Sequence, residues 1–487
     1  NNKFSLMIRF NSYKNFKDIK NKNKISITYA IENNSKTSKI ENLIDIILAK
    51  KNSFVFESVE KAIHRGRYTI FGYDSDKTYE IKNNQVFVNN KRIANKDPYL
   101  YLKKLVKTFN YTLPKNLPPM SLMLIGYFGY DIIRFVEKIP NRTKNDLKIP
   151  DVRLQRPRKI IIHDNLKKKL FYITCSYSSK KNSKNLFNKC KIDLNRLITE
   201  SNTQPKKITD SKKTINLKIK SNTSKKTFLN NVKIAKKYIK VGDIFQVVLS
   251  QRFEAKLQKN PIDIYKKIRK TNPSPFLYFI NYNDFQIIGS SPEILVRVKD
   301  SKITIRPIAG TRPRGKTINE DNKLKKDLLS DPKELAEHLM LLDLGRNDVG
   351  KFSETGTVKV DSQFSVEKYS HVMHIVSNVT GQFKTGTSLI DALLSGFPAG
   401  TVSGAPKIRA MEIIDELEKT RRKLYAGGIG YFSPNNTMDT CIALRTALIK
   451  NKKVYIQSGA GIVADSDPEK EYQETVNKAK ALIEAIR

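Results

Sequence analysis

Residues 425–487 run YAGGIGYFSPNNTMDTCIALRTALIKNKKVYIQSGAGIVADSDPEKEYQETVNKAKALIEAIR, three extended segments followed by one long helix. The segments are Gly427–Phe432, Cys441–Ile449 and Val454–Ser458, rich in β-branched and aromatic residues. Asp467-Pro468 then opens a helix: the Asp caps the free amides, and the Pro occupies the first position, where its missing N–H costs nothing. Asp331-Pro332-Lys333-Glu334 repeats the device upstream. Between the two starts and before them lie a helical repeat at Phe228–Val241, closed by Gly242, and strand patterns at Phe245–Phe253, Phe276–Tyr282, Ile294–Val298 and Ile303–Pro307, the last two around a turn at Asp300-Ser301. Strands in sequential runs with helices between them predict an α+β fold, layered and built on antiparallel sheets.

The first ~175 residues mix strand and helix patterns, with strands at Ser53–Ser58 and Tyr68–Gly72 and a hairpin of Arg158–His163 with Leu170–Cys175 around Asp164-Asn165. Residues 201–226 hold eight Lys, one Asp and no aromatic residue, so they are expected to form an exposed linker. This divides the chain into a smaller N-terminal α/β region (1–200), the linker (201–226) and a larger domain (227–487).

Hydrophobic residues make up 39% of 487, too many for a disordered or fibrous chain and enough for two or three domains. No apolar run approaches the roughly 18 residues that span a bilayer. Asn1–Phe10 has no apolar signal core, and Cys175, Cys190 and Cys441 have neither an even count nor metal-ligand spacing; a reduced, cytoplasmic setting is expected. The net charge of +43 admits a polyanion binder, but it comes from 68 Lys against 22 Arg, scattered along the chain. Phosphate recognition favours Arg forks and clustered basic faces, so a solvated surface in a Lys-, Asn- and Ile-rich chain is the simpler account.

On the Asp331 helix, Glu334, Glu337 and His338 are three and four residues apart; on the C-terminal helix, Glu471, Glu474 and Lys478 repeat that spacing. Carboxylates from two helices meeting in a pocket suit Mg²⁺, which takes oxygen ligands and keeps waters or substrate oxygens in its shell; solvated helix faces would show the same spacing. Three glycine-rich segments, 307–315, 397–407 and 457–461, expose backbone N–H groups that could hold an anionic oxygen. None is a phosphate-binding P-loop: Gly404-Ala405-Pro406-Lys407 lacks the preceding glycine and has a proline where an amide is wanted.

PIAGTRPRG (307–315), KELAEHLMLLDLGRND (333–348), VMHIVSNVTG (372–381), FPAGTVSGAPKIRAMEII (397–414), YAGGIGYF (425–432), LRTALI (444–449) and QSGAGIVADSDPEKEYQET (457–475), in this order, resemble the chorismate-utilising enzymes, and within them the ammonia-using branch that makes anthranilate. FVFESVE (54–60) and RGRYTIFG (65–72) extend the resemblance into the N-terminal region. The resemblance implies a layered αββα chorismate-binding fold with Mg²⁺ held by Glu337 and Glu474. It implies substrate contacts from Gly310, Thr311, Tyr425, Arg445, Gly459, Ala460, Gly461 and Lys478. Glu293 matches the residue that protonates the departing 4-hydroxyl, and His338 matches the position linked to the later pyruvate elimination, unless it packs against Leu342 and only supports its helix. Gln246 stands where water-activating relatives carry Lys, and Ala309 where aminodeoxychorismate synthases carry a nucleophilic Lys. Ammonia as nucleophile remains, and no cysteine has the setting of a glutamine-hydrolysing nucleophile, so a separate glutamine amidotransferase subunit is implied. Ser58 matches a tryptophan feedback site whose other wall is Pro275, Phe276 and Leu277, with L-tryptophan as the inhibitor.

Overall fold

The computed structural model describes residues 8–23, 25–35, 38–57, 66–177, 184–202, 217–369 and 372–487. Two stacked antiparallel sheets form its middle. In neighbour order, one contains Ser26–Asn33, Lys169–Ser176, the second half of Val152–Asp164, the first half of Tyr68–Lys82, Ser53–Glu57 and Phe276–Asn281. It continues through Phe285–Ser291, Thr446–Lys450, Lys453–Ile462 and Gln246–Lys256. The other contains the remaining halves of the two long strands, then Leu124–Phe128, Gly428–Ser433, Thr437–Ile442 and Ile294–Lys299. Lys302–Ile305 and Val372–Gln382 follow, with Ile308–Pro313 and Lys359–Lys368 paired to the latter. Tyr68–Lys82 and Val152–Asp164 are long enough to serve both sheets, and their pairing shifts register between Ser75 and Lys77 as they pass from one to the other.

Strand alternation sorts the side chains into layers. Tyr278, Ile280 and Ile287 point inward and meet Leu124, Val296 and Ile429 of the facing sheet. Phe279 and Ile288 point outward under Ile44, Leu194, Ile264 and Leu482 of four covering helices. A second outer cluster packs Phe228, Val232 and Ile413 on Val247, Leu249 and Ile462. On the other sheet, the helices Ile318–Ser330 and Pro332–Gly350 lie over Met373 and Ile375. The order is helix, sheet, sheet, helix, the expected α+β layering. Each fully buried Leu or Phe here contributes about 1.5–3 kcal/mol of burial. Among the described residues no helix is long and apolar enough to cross a membrane.

Two expectations change. Residues 203–216 of the linker lie outside the described residues, but its second half is attached: Leu217 is buried in the outer core and Lys220–Ser221 pairs with the end of Gln246–Lys256. Both sheets take strands from either side of it, with Glu57 opposite Leu277 and Gly126 opposite Gly430. The single strand expected at Cys441–Ile449 is two, because the chain leaves one sheet after Ile442 and enters the other at Thr446. Arg445, in the step, has a φ of 47°.

Candidate active site

A second step between sheets runs from Ser291 to Ile294 and carries Glu293. The two steps are tied together: Ile442 N donates to Glu293 O at 3.1 Å and Ser290 N to Arg445 O at 3.2 Å. Glu293 is 8% exposed, and Thr401 Oγ1 donates to its Oε1 at 2.9 Å. Burial pushes its carboxyl up to about 8, against the Thr401 hydrogen bond and the positive charges of Lys478 and Arg445. The same burial lowers Arg445, which Glu293 and Tyr369 partly offset. Acid and guanidinium therefore share one dry space.

Gly459 and Gly461 stand opposite Ser250 and Val248 on the Lys453–Ile462 strand. A Cβ on Gly459 would lie 2.6 Å from the Tyr425 hydroxyl, and one on Gly461 2.6 Å from Gln246 Nε2, so both glycines make room for side chains of the site. Ala460, between them, is buried in the helix-facing core. Thr446–Lys450 pairs with this strand only as far as Ile456, which leaves one edge of 457–462 without a described neighbour and alternate N–H groups open to an anionic oxygen. Lys478 Nζ sits at this edge, 3.1 Å from Gly459 O and 2.6 Å from Glu474. Gly310, with φ of 67°, lies at a bulge in Ile308–Pro313 that turns its carbonyl and the Thr311 hydroxyl toward His374, at 2.8 and 3.2 Å from Nδ1.

Glu337 and Glu474 face each other from two helices. Burial raises Glu337 first, then the negative charges of Glu334 and Glu474, against a weak bond from Gln246 Nε2 at 3.5 Å. Glu471 is likewise raised, by burial and by Glu474. No three His, Cys, Asp or Glu side chains converge on a metal-ligand geometry among the described residues. A half-buried Glu337 whose charge is disfavoured, opposite an exposed Glu474, nevertheless fits a hard divalent cation whose other ligands are water and substrate oxygens. Arg312 steadies the Glu337 helix by bonding Glu334 (3.0 Å) and the capping Asp331 (2.7 Å). Lys407 of the glycine-rich 397–407 segment pairs with Asp348 at 2.8 Å, a structural tie and not a phosphate cradle.

The two histidines part company. His338 is fully buried under its helix, with Nε2 2.7 Å from Ser377 Oγ and its ring against Phe364. Burial alone moves it, down to about 4, and none of the site's charges contributes. His374, which the sequence reading passed over, stands among them: burial lowers it, with Arg445 and Lys478 acting in the same direction and the Gly310 bond against. Its signal was alternation, since Met373 and Ile375 on either side are buried in the outer core. In the expected feedback site, Ser58 lies outside the described residues. Pro275 and Phe276 are half-buried, and Leu277 turns the other way into the helix-facing core. All three cysteines are buried, and burial raises each thiol, which leaves none poised as a nucleophile.

This constellation belongs to a known class: a family model described as chorismate binding enzyme matches residues 51–484, and the chain is a member of that family. Within the family, it is 45% identical over 450 residues to the anthranilate synthase component 1 of Cereibacter sphaeroides, covering 90% of each chain. It is 44% identical over 446 residues to that of Acetivibrio thermocellus, covering 89% of this chain and 90% of the relative. Its fold matches the crystal structure of anthranilate synthase component I from Streptococcus pneumoniae TIGR4 with a TM-score of 0.78 at 38% identity, over 88% of this chain and 94% of that one.

Proposed function

We infer that the chain acts as the chorismate-converting large subunit of an anthranilate synthase, taking chorismate and ammonia to anthranilate and pyruvate through 2-amino-2-deoxyisochorismate. The observation that carries this is Glu293, a carboxyl that keeps its proton at pH 7 within the field of Arg445 and Lys478. Chorismate is a dianion, and Arg445, Lys478, the Thr311 hydroxyl and the open N–H groups of 457–462 are the groups that can neutralise and orient it. Glu293 then gives its proton to the departing 4-hydroxyl as ammonia bonds to C2, and the carboxylate it becomes is stabilised by the same two cations. Gln246, whose amide has no useful basicity, activates no water, and Ala309 offers no amine for a covalent adduct.

The second step needs a base for the C2 proton. His374 donates from Nδ1 to Gly310 O, which fixes the tautomer and leaves the Nε2 lone pair free. His374 takes this proton, the C–O bond to the enolpyruvyl group breaks, and the ring becomes aromatic as pyruvate departs. Glu337 and Glu474 are the residues that would hold Mg²⁺, which supplies positive charge to a substrate carboxylate when bound. Ammonia comes from a glutamine amidotransferase subunit, and L-tryptophan inhibits by binding beside Pro275 and Phe276.

The test is incubation of the purified chain with chorismate, Mg²⁺ and ammonium at pH 8, with products resolved by chromatography. Anthranilate and pyruvate in equal amounts support the reading. 4-Amino-4-deoxychorismate as sole product would instead make the chain an aminodeoxychorismate synthase. Salt-sensitive nucleic-acid binding without turnover would return the +43 charge to the centre of the argument.

A further inference from the structure

A second cleft lies between the Pro98–Thr108 helix and the strands Tyr68–Lys82 and Val152–Asp164, and it shares no residue with the site above. It offers a volume of about 250 Å³. Tyr79, 5% exposed, forms its floor, with Tyr101, Tyr111 and Phe109 as walls. The three phenols converge: Tyr101 and Tyr111 both act on the Tyr79 hydroxyl, as do Arg156 and Asp76. None of the three hydroxyls has a hydrogen-bond partner within the protein among the described residues, and all three are open to the solvent of the cleft, free to bond a molecule that enters it. Such a floor expects a polar atom from outside the protein.

The charges say which kind. Arg156 is already engaged, forked onto Asp76 and stacked 4.0 Å over the Tyr177 ring. Asp76 is thereby spent, and no other carboxylate lines the cleft. Lys77 and Lys104 stand exposed at the rim with no acidic partner among the described residues. Aromatic walls favour a flat ring, phenols at the floor favour a hydrogen-bonding substituent, and free cations at the mouth favour an anion. The lack of a free carboxylate disfavours an ammonium group, and with it the amino acids. We propose that this cleft is a second small-molecule site, selective for a planar aromatic carboxylate.

The proposal goes beyond chorismate conversion and stands or falls apart from it. The test is calorimetric titration of the full chain with 4-hydroxybenzoate, in Mg²⁺ and saturating chorismate without ammonia, so that the catalytic site is occupied. Saturable binding is expected, weakened at least tenfold in Lys77→Glu/Lys104→Glu and severalfold in Tyr79→Phe, with phenylalanine failing to compete. The double variant changes only exposed residues, and its ammonia-dependent anthranilate formation should equal that of the native chain. Absence of saturable binding, displacement by chorismate, undiminished binding in the double variant, or equal competition by phenylalanine would each overturn the proposal.

Discussion

Replacing Glu293 by Gln should make the protein more stable while removing its activity. An ordinary glutamate ionises near 4.5, whereas Glu293 holds its proton to about 8 in the folded chain. Between these values the unfolded chain has released a proton that the native state retains, so rising pH favours unfolding through this one group. Integrated to pH 7, the difference costs about 3 kcal/mol, and above pH 8 about 5 kcal/mol. Glutamine is neutral throughout and can still accept the Thr401 hydrogen bond through its amide oxygen. In urea unfolding at a series of pH values, the variant should match the native chain near pH 4, exceed it by about 3 kcal/mol at pH 7, and keep gaining to pH 8. Ammonia-dependent turnover should fall about 10²–10⁴-fold, because the amide has no proton to give the leaving hydroxyl. A stability difference that does not grow between pH 5 and pH 8 would refute the burial argument, whatever the activity shows.

Four further outcomes are expected. His374→Ala should go on consuming chorismate while anthranilate output drops at least about 10²-fold, since only the second step loses its base. His338→Ala should lower both signals together and cost about 2–4 kcal/mol by opening a cavity beneath the Glu337 helix; separate effects on the two signals would restore His338 to the chemistry. Arg422→Met should cost about 3–5 kcal/mol in urea unfolding, because it leaves Glu418 buried without its guanidinium partner, now at 2.6 Å. Glu337→Gln and Glu474→Gln should each raise the Mg²⁺ concentration for half-maximal activity at least about tenfold, and an unchanged Mg²⁺ titration in both would remove the metal from this pair.

The layering was visible in the sequence because caps and turns are local chemistry. Asp467 accepts from Lys470 N at 3.0 Å and Asp331 from Lys333 N at 3.0 Å, as their patterns predict, and Asp300 and Ser301 take the positive φ of a tight turn. The steps between sheets were not visible: an apolar run such as Cys441–Ile449 has the same composition whether it stays in one sheet or changes to the other. Which histidine faces the site was hidden for a related reason. Adjacent residues on a helix diverge by about 100°, so Glu337 can face the site while His338 faces the sheet. On a strand, adjacent residues diverge fully, which separates Leu277 from Phe276. Motif order located both stretches but did not say which neighbour points where.

Because Glu293 and Arg445 ride on the two places where the chain changes sheets, the gap between carboxyl and guanidinium works as a caliper set by the sandwich filling. That filling is Tyr278, Leu295, Ile429 and their neighbours, all at most 1% exposed. Close-packed interiors resist compression, so the strands that hold the two short steps lend the spacing the stiffness of the sandwich. Trading Leu295 for a smaller side chain would open a cavity in this filling and loosen the setting without touching either charged group. The outer surface, meanwhile, can drift in composition toward lysine and asparagine with no effect on the setting.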